Sequence, residues 1–133
     1  MKEPITLRVL EGAVRRSWRL DTCDPTDQSE WSSENPSKGQ CAVTSMVVHD
    51  LLGGQLLEAE VRRGDGSLQG FHYWNRLVGM DVDLTAEQFA PGEVIQEPQL
   101  IDRTPEFPWL AHAQYLVFRA RVFAALGLPV PPD

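Results

Sequence analysis

Lys38-Gly39-Gln40-Cys41-Ala42-Val43-Thr44-Ser45 opens an almost wholly apolar segment that runs to Leu52. Pro36 and Ser37 precede it, and Gly53-Gly54 follow it. Ser37 with Gln40 three residues later fits a capping box, which predicts a helix beginning at Ser37. Gly53 or Gly54 can supply a left-handed C-cap. Ala42, Val43, Met46, Val47, Val48, Leu51 and Leu52 surround nearly the whole helix, so it is expected to be buried on most sides. Cys41 then lies in the first turn of a central helix. Unpaired backbone N–H groups and the positive end of the helix dipole gather at such a place, and both favour a thiolate. Cysteine also packs commonly as a small buried hydrophobe, so position alone leaves Cys41 open between the two roles.

The chain has 133 residues, enough for a single domain spanning 1–133 with one core. Its net charge of −7 argues against nucleic acid or an anionic membrane as partner. Arg15, Arg16 and Arg19 form only a small basic cluster, read as one solvated helix face. No apolar run approaches membrane-spanning length, and Met-Lys-Glu-Pro at the start lacks the apolar stretch of a signal peptide. The expectation is a cytoplasmic protein. Its two cysteines, Cys23 and Cys41, are too few for a disulfide scaffold, and no Cys/His cluster stands at metal-binding spacing.

Residues 4–20 read as a helix, with Ile5, Val9 or Leu10, Ala13 or Val14, and Trp18 on one face. Residues 21–35 read as a polar surface loop carrying Cys23 and Trp31. After the central helix, Leu57, Ala59 and Val61 alternate with Glu58, Glu60 and Arg62, which predicts a half-buried strand over 55–63. Gly64-Asp65-Gly66-Ser67 is a turn. Residues 68–77 form a second strand, Val78-Gly79 a tight turn, and residues 80–84 a third strand. Thr85 to Phe89 reads as a second capping box with a short helical turn. Four prolines between 90 and 108 suggest an irregular connection. Pro108 can serve as the first residue of a last helix, which runs to about Leu126 and stops at Gly127.

A cysteine nucleophile needs a base within hydrogen-bond reach, and the base needs a third group to fix its tautomer. His72 on the second strand is the natural base. His49 lies eight residues along the same helix as Cys41, roughly 12 Å away by helical rise, and nothing places His112 near the thiol. A two-residue turn at Val78-Gly79 pairs Arg76 with Asp81 and sets Asp83 diagonal to His72 on the same face. Asp83 is therefore the orienting acid. Asp81 is assigned to Arg76, and Asn75, on the opposite face, is the rival.

These residues also carry a resemblance. Gly39-Gln40-Cys41-Ala42-Val43, Gly53-Gly54, His72-Tyr73-Trp74-Asn75 and Asp83-Leu84-Thr85 with Gln88-Phe89 resemble the YunG-like family of small bacterial proteins over roughly residues 15–125. More distantly, Gly39-Gln40-Cys41 and Asp83-Leu84-Thr85 are similar to the nucleophile and acid segments of transglutaminase-like enzymes. That likeness implies an α+β fold of papain-like type, with the cysteine helix on a small antiparallel sheet. It implies cysteine-dependent acyl chemistry on an amide- or ester-bearing substrate through Cys41, His72 and Asp83, with no metal or organic cofactor. Gln40, Trp31 and Trp74 are expected to border the acyl site. Gln28 is a remote candidate for an oxyanion donor, and the backbone N–H of Cys41 or of a neighbour a better one. The alternatives are a binding or structural module of the same fold and a redox role for Cys41 with Cys23.

Overall fold

The computed structural model describes residues 5–105, 107 and 111–132. Helix α1 (Leu7–Ser17) is capped by Thr6, whose hydroxyl oxygen accepts from the Val9 N–H at 3.2 Å. It buries Leu10, Ala13 and Val14 and leaves Val9 outside, which settles the choice the periodicity left open. Two short 3-10 turns (Leu20–Thr22 and Pro25–Glu30) follow, in the segment read as plain loop.

Helix α2 (Cys41–Leu52) starts four residues later than expected. Ser37 does not cap it. Ser37 instead closes a turn through its carbonyl, which accepts from the Gln40 N–H at 3.0 Å, and Gln40 takes the N-cap position. All residues of α2 from Cys41 to Val48 are buried. Burying each valine or methionine stabilises the fold by roughly 1.5–3 kcal/mol before the entropy of ordering is counted. Gly53 ends the helix in the left-handed region, and Gly54 follows at φ +81°. A β-carbon on Gly54 would sit 2.5 Å from the Arg76 carbonyl oxygen, so only glycine lets the chain turn this close to the sheet.

The sheet is antiparallel. Strand β1 (Gln55–Arg62) pairs with β2 (Leu68–Leu77), and β2 pairs with β3 (Met80–Val82). The other edge of β1 takes two short strands, β4 (Val94–Ile95) at Val61–Arg62 and β5 (Gln99–Ile101) at Leu56–Glu58. Both lie inside the stretch expected to be irregular. Strands of two and three residues leave no alternation to read, and β1 recruits them by offering its open backbone edge. The third strand stops at Val82, two residues short of the expectation.

Helix α3 (His112–Ala125) is closed by Leu126 as its C-cap, and Gly127 follows at φ +71°. The expectation that Pro108 opens this helix falls outside the described residues. Helix α2 packs on β2 and against α3, and α1 packs against α3. Arg103 and Tyr115 tie the distal end of α2 to α3. Tyr115 donates its hydroxyl to Asp50 at 2.6 Å, and Arg103 donates to both of them. No helix among the described residues is long and apolar enough to cross a membrane.

Val47 has no exposed surface and sits in the main core, so Val47→Asp would place an unpaired charge there, costing several kcal/mol. Loss of the cooperative thermal transition is expected, and a soluble, cooperatively melting variant would overturn this account of the core. The hairpin between β2 and β3 makes the opposite prediction. Its two central residues, Val78 and Gly79, both have positive φ, +50° and +77°. A β-branched residue is disfavoured there, and Val78 is fully exposed, so its side chain gains nothing in return. Val78→Asn should stabilise the protein by about 1 kcal/mol, seen as a raised urea midpoint at unchanged slope.

Candidate functional site

Cys41 is the first residue of α2 and is 8% exposed. Its position is set from the N-terminal side by Gly39, which has φ +70° and whose carbonyl accepts from the Asp24 N–H at 2.8 Å. A β-carbon on Gly39 would stand 2.5 Å from the Cys23 sulfur. The Cys41 thiol reaches across to β2, where it donates to the Phe71 carbonyl over 3.9 Å.

The next residue, His72, has no exposed surface. Its Nε2 meets Asp83 Oδ2 at 2.6 Å. The other oxygen of Asp83 accepts from the Thr85 N–H at 3.2 Å, so the carboxylate is anchored from the loop that follows β3. The imidazole stacks on Trp74 with centroids 5.3 Å apart and meets the edge of Phe89 at 4.7 Å. Burial in this sleeve works against a charge on the ring. The hydrogen bonds to Asp83 and to the Cys41 sulfur outweigh it and hold the His72 pKa at about 9, above its ordinary 6.5.

Cys41, His72 and Asp83 thus come together. Asp81 is separate. Its two oxygens accept from Arg76 Nε at 2.7 Å and from the Trp74 indole at 3.1 Å, and these bonds, Arg76 first, pull its pKa below the ordinary value. The pairing of Arg76 with Asp81 is the register that a two-residue turn requires. Asn75 is committed elsewhere, donating to the Ser45 carbonyl of α2 at 2.9 Å.

The three residues expected to border an acyl site are placed otherwise. Gln40 is fully buried and its amide is used at both ends, accepting from Thr22 at 2.7 Å and donating to the Arg19 carbonyl at 2.9 Å. It fastens the start of α2 to the segment after α1. Trp74 is buried behind His72 and is absent from the cleft that contains Cys41. Trp31 donates to the Pro36 carbonyl at 3.0 Å and lines a different groove with Arg19, Leu20, Asp21 and Gln28. Gln28 belongs to that groove as well.

Cys23, expected on a surface loop, is completely buried and donates to the Lys38 carbonyl at 3.3 Å. The 3-10 turns around it fold the loop inward over Gly39. Both cysteines are free thiols. Burial first, then the carboxylates of Asp27 and Asp24, push the Cys23 thiol up to about 12.

The residue not assigned from sequence is Gln88. Its Oε1 accepts from the Gly39 N–H at 3.1 Å, and its Nε2 donates to the Thr85 carbonyl at 3.3 Å. Those two partners fix which end of the amide is which. Nε2 therefore faces His72 Nδ1, at 3.3 Å, as a donor. Neutral His72 must then keep its proton on Nε2, toward Asp83, with the Nδ1 lone pair free to accept. When Nδ1 is protonated it has to turn this bond over to the Cys41 sulfur. The spacing of Gln88 and Phe89 after Asp83 carries this signal, and the same residues also fit a helical capping pattern.

The cleft beside Cys41 has a volume of about 270 Å³. Gln69, Gly70, Phe71 and Tyr73 of β2 form one wall, and Asp24, Thr26, Asp27 and Gly39 form the other.

Residues 6–127 match the family model described as YunG protein. The chain belongs to the YunG family. A relative in Bacillus subtilis (strain 168), described as "Uncharacterized protein YunG", is 38% identical over 76 residues. That match covers 57% of this chain and 56% of the relative. No solved structure matches.

Gln88→Glu tests the tautomer argument in this YunG-family site without reference to any reaction. A carboxylate facing Nδ1 accepts from the imidazolium where the amide opposed it. The His72 pKa should rise above about 9, read by ¹⁵N NMR of the ring. An unchanged titration would show that Gln88 does not govern this nitrogen.

Proposed function

We propose that this protein carries out cysteine-dependent acyl chemistry on an amide or ester, within an α+β fold akin to the papain-like and transglutaminase-like enzymes. The observation that carries the reading is the part-buried His72–Asp83 bond of 2.6 Å, made by an imidazole that also meets the Cys41 sulfur at the start of α2. A carboxylate-bound imidazole facing a cysteine is the arrangement a nucleophilic thiol requires.

In this reading the Cys41 proton passes to His72 Nδ1 before attack, as the raised imidazole pKa of about 9 favours, and the thiolate then attacks the acyl carbon. Asp83 holds Nε2–H and stabilises the imidazolium that forms. The first-turn N–H groups of α2 face the oxyanion, since they have no partners within the helix. His72 then returns the proton to the leaving amine or alcohol, and a thioester remains on Cys41. Water or an amine attacks this thioester, giving hydrolysis, deamidation or acyl transfer. Gln88 supports the first step by keeping Nδ1 an acceptor until the proton arrives.

Asp83→Asn and Asp81→Asn separate the assignments. Removing the Asp83 charge takes away a group that favours protonated His72, so the His72 pKa should fall below about 9 and iodoacetamide labelling of Cys41 near neutral pH should slow. Asp81→Asn should change neither. The sign for stability follows from the same shift. A pKa raised from 6.5 to about 9 in the folded state stabilises fully below pH 6.5 and is lost as pH rises through about 9. That loss should be smaller in Asp83→Asn. If Asp81→Asn moves the titration and Asp83→Asn does not, the assignment is wrong. Turnover itself is tested by mass-spectrometric screening of amides and esters for an acyl-enzyme that Cys41→Ala abolishes.

A further inference from the structure

Strand β2 is longer than its neighbour on the Asp83 side. Strand β3 covers it only from Asn75 to Leu77. The two-residue turn makes Leu77 and Met80 the hydrogen-bonded pair that closes the hairpin, so Leu77 directs its N–H and C=O toward β3. Backbone direction alternates along a regular strand, so Asn75, Tyr73 and Phe71 direct theirs to the same side, and the run ends at a bulge at Gln69, where Val61 pairs with Gly70 and Arg62 with Leu68. The Phe71 carbonyl confirms the parity, because it points away from β1 and accepts from the Cys41 thiol at 3.9 Å. Beyond Asn75 this edge is not taken by β3, and the residues that present backbone groups along it, Phe71 and Tyr73, both line the Cys41 cleft. The Phe71 side chain is 48% exposed beside it.

The opposite wall carries two carboxylates, Asp24 and Asp27. Asp24 caps the turn over Pro25–Glu30. Burial raises the Asp27 pKa, and Lys38, 4.0 Å away, opposes the rise. The Lys38 ammonium is drawn nearer to Glu30, at 3.2 Å, and does not line the cleft. The cleft therefore offers an open strand edge on one side, acidic charge on the other, and a thiol at its end. At about 270 Å³ it falls below the roughly 300–1,000 Å³ typical of sites that engulf a drug-sized molecule.

We infer that the substrate is an extended polypeptide segment bearing a basic side chain, which adds to the open edge of β2 at Phe71–Tyr73 and delivers its carbonyl to Cys41. Edge addition takes affinity from main-chain hydrogen bonds and selectivity from alternate side chains. The basic side chain meets Asp24 and Asp27. This rests on Cys41 being the nucleophile proposed above.

The probe is the peptide acetyl-Val-Lys-Val-Gly-Val-amide, compared with the same peptide carrying Glu for Lys. The readouts are the rate of Cys41 alkylation by iodoacetamide and the amide shifts of Phe71 and Tyr73 in ¹H–¹⁵N spectra. The lysine peptide should slow alkylation several-fold and shift those amides, and the glutamate peptide should do so far less. Asp24→Asn, which keeps a capping side chain, should narrow the difference between the two peptides. N-methylation at alternate peptide positions gives the sharper test. One set of positions faces the strand edge and the other faces away, so methylation of one set should abolish protection and methylation of the other should leave it. Equal protection by both methylated peptides, no protection by either parent peptide, or protection that tracks dimer formation by sedimentation would each overturn the inference. Turnover of small esters without peptide protection would leave the acyl chemistry standing and remove the strand. Peptide protection without an acyl-enzyme would do the reverse.

Discussion

The side chain of Asn75 donates to the Ser45 carbonyl at 2.9 Å, in the buried interface between β2 and α2. Leaving that amide unpaired would cost about 1–3 kcal/mol, so the bond fixes how far along the strand the helix can sit. Cys41 is one helical turn before Ser45, about 6 Å up the axis. His72 is three residues before Asn75, about 10 Å along the strand. Fixing one pair therefore brings the start of the helix beside the strand where His72 stands. Slipping the helix by a turn would leave both a buried unpaired amide and a thiol with nothing to meet.

The site is assembled from both ends of that frame. Gly39 and Gln40 hold the approach to the helix, one by close packing on Cys23 and the other by two amide hydrogen bonds. The loop after β3 holds the far side of His72 through Asp83, Thr85 and Gln88. Gln88 joins the two halves, since one amide accepts from Gly39 and faces His72. A buried polar network of this kind is rigid when every member is satisfied. It specifies the state of one nitrogen, His72 Nδ1, which is the nitrogen a thiol proton would need.

Charge is distributed to match. Asp81 is exposed and shared between Arg76 and Trp74, so it steadies the ring that stacks on His72 without touching the imidazole. Asp83 is the carboxylate that touches it. Two acids two residues apart on one hairpin thus serve different partners, and the turn geometry decides which is which.

Much of this was legible in the sequence because it is local. The apolar density from Cys41 to Leu52 specifies a buried helix, alternation specifies β1, and a two-residue link at Val78-Gly79 specifies the register that separates Asp81 from Asp83. The pairing of His72 with Asp83 follows from that register. What the tertiary structure alone decided involves residues far apart in the chain, whose partners leave no periodic trace. Gln40 looked like part of a binding motif and turned out to fasten α2 to Thr22 and Arg19. Trp74 and Trp31 do not line the Cys41 cleft, because Trp74 is buried against His72 and Trp31 is bonded to the Pro36 carbonyl. Cys23 is interior because two 3-10 turns fold its loop over Gly39. Strands β4 and β5 are too short to carry a pattern and exist because β1 has an edge to fill. The open edge of β2 beside the thiol is equally invisible in the sequence, since it arises from where β3 stops and where α2 begins.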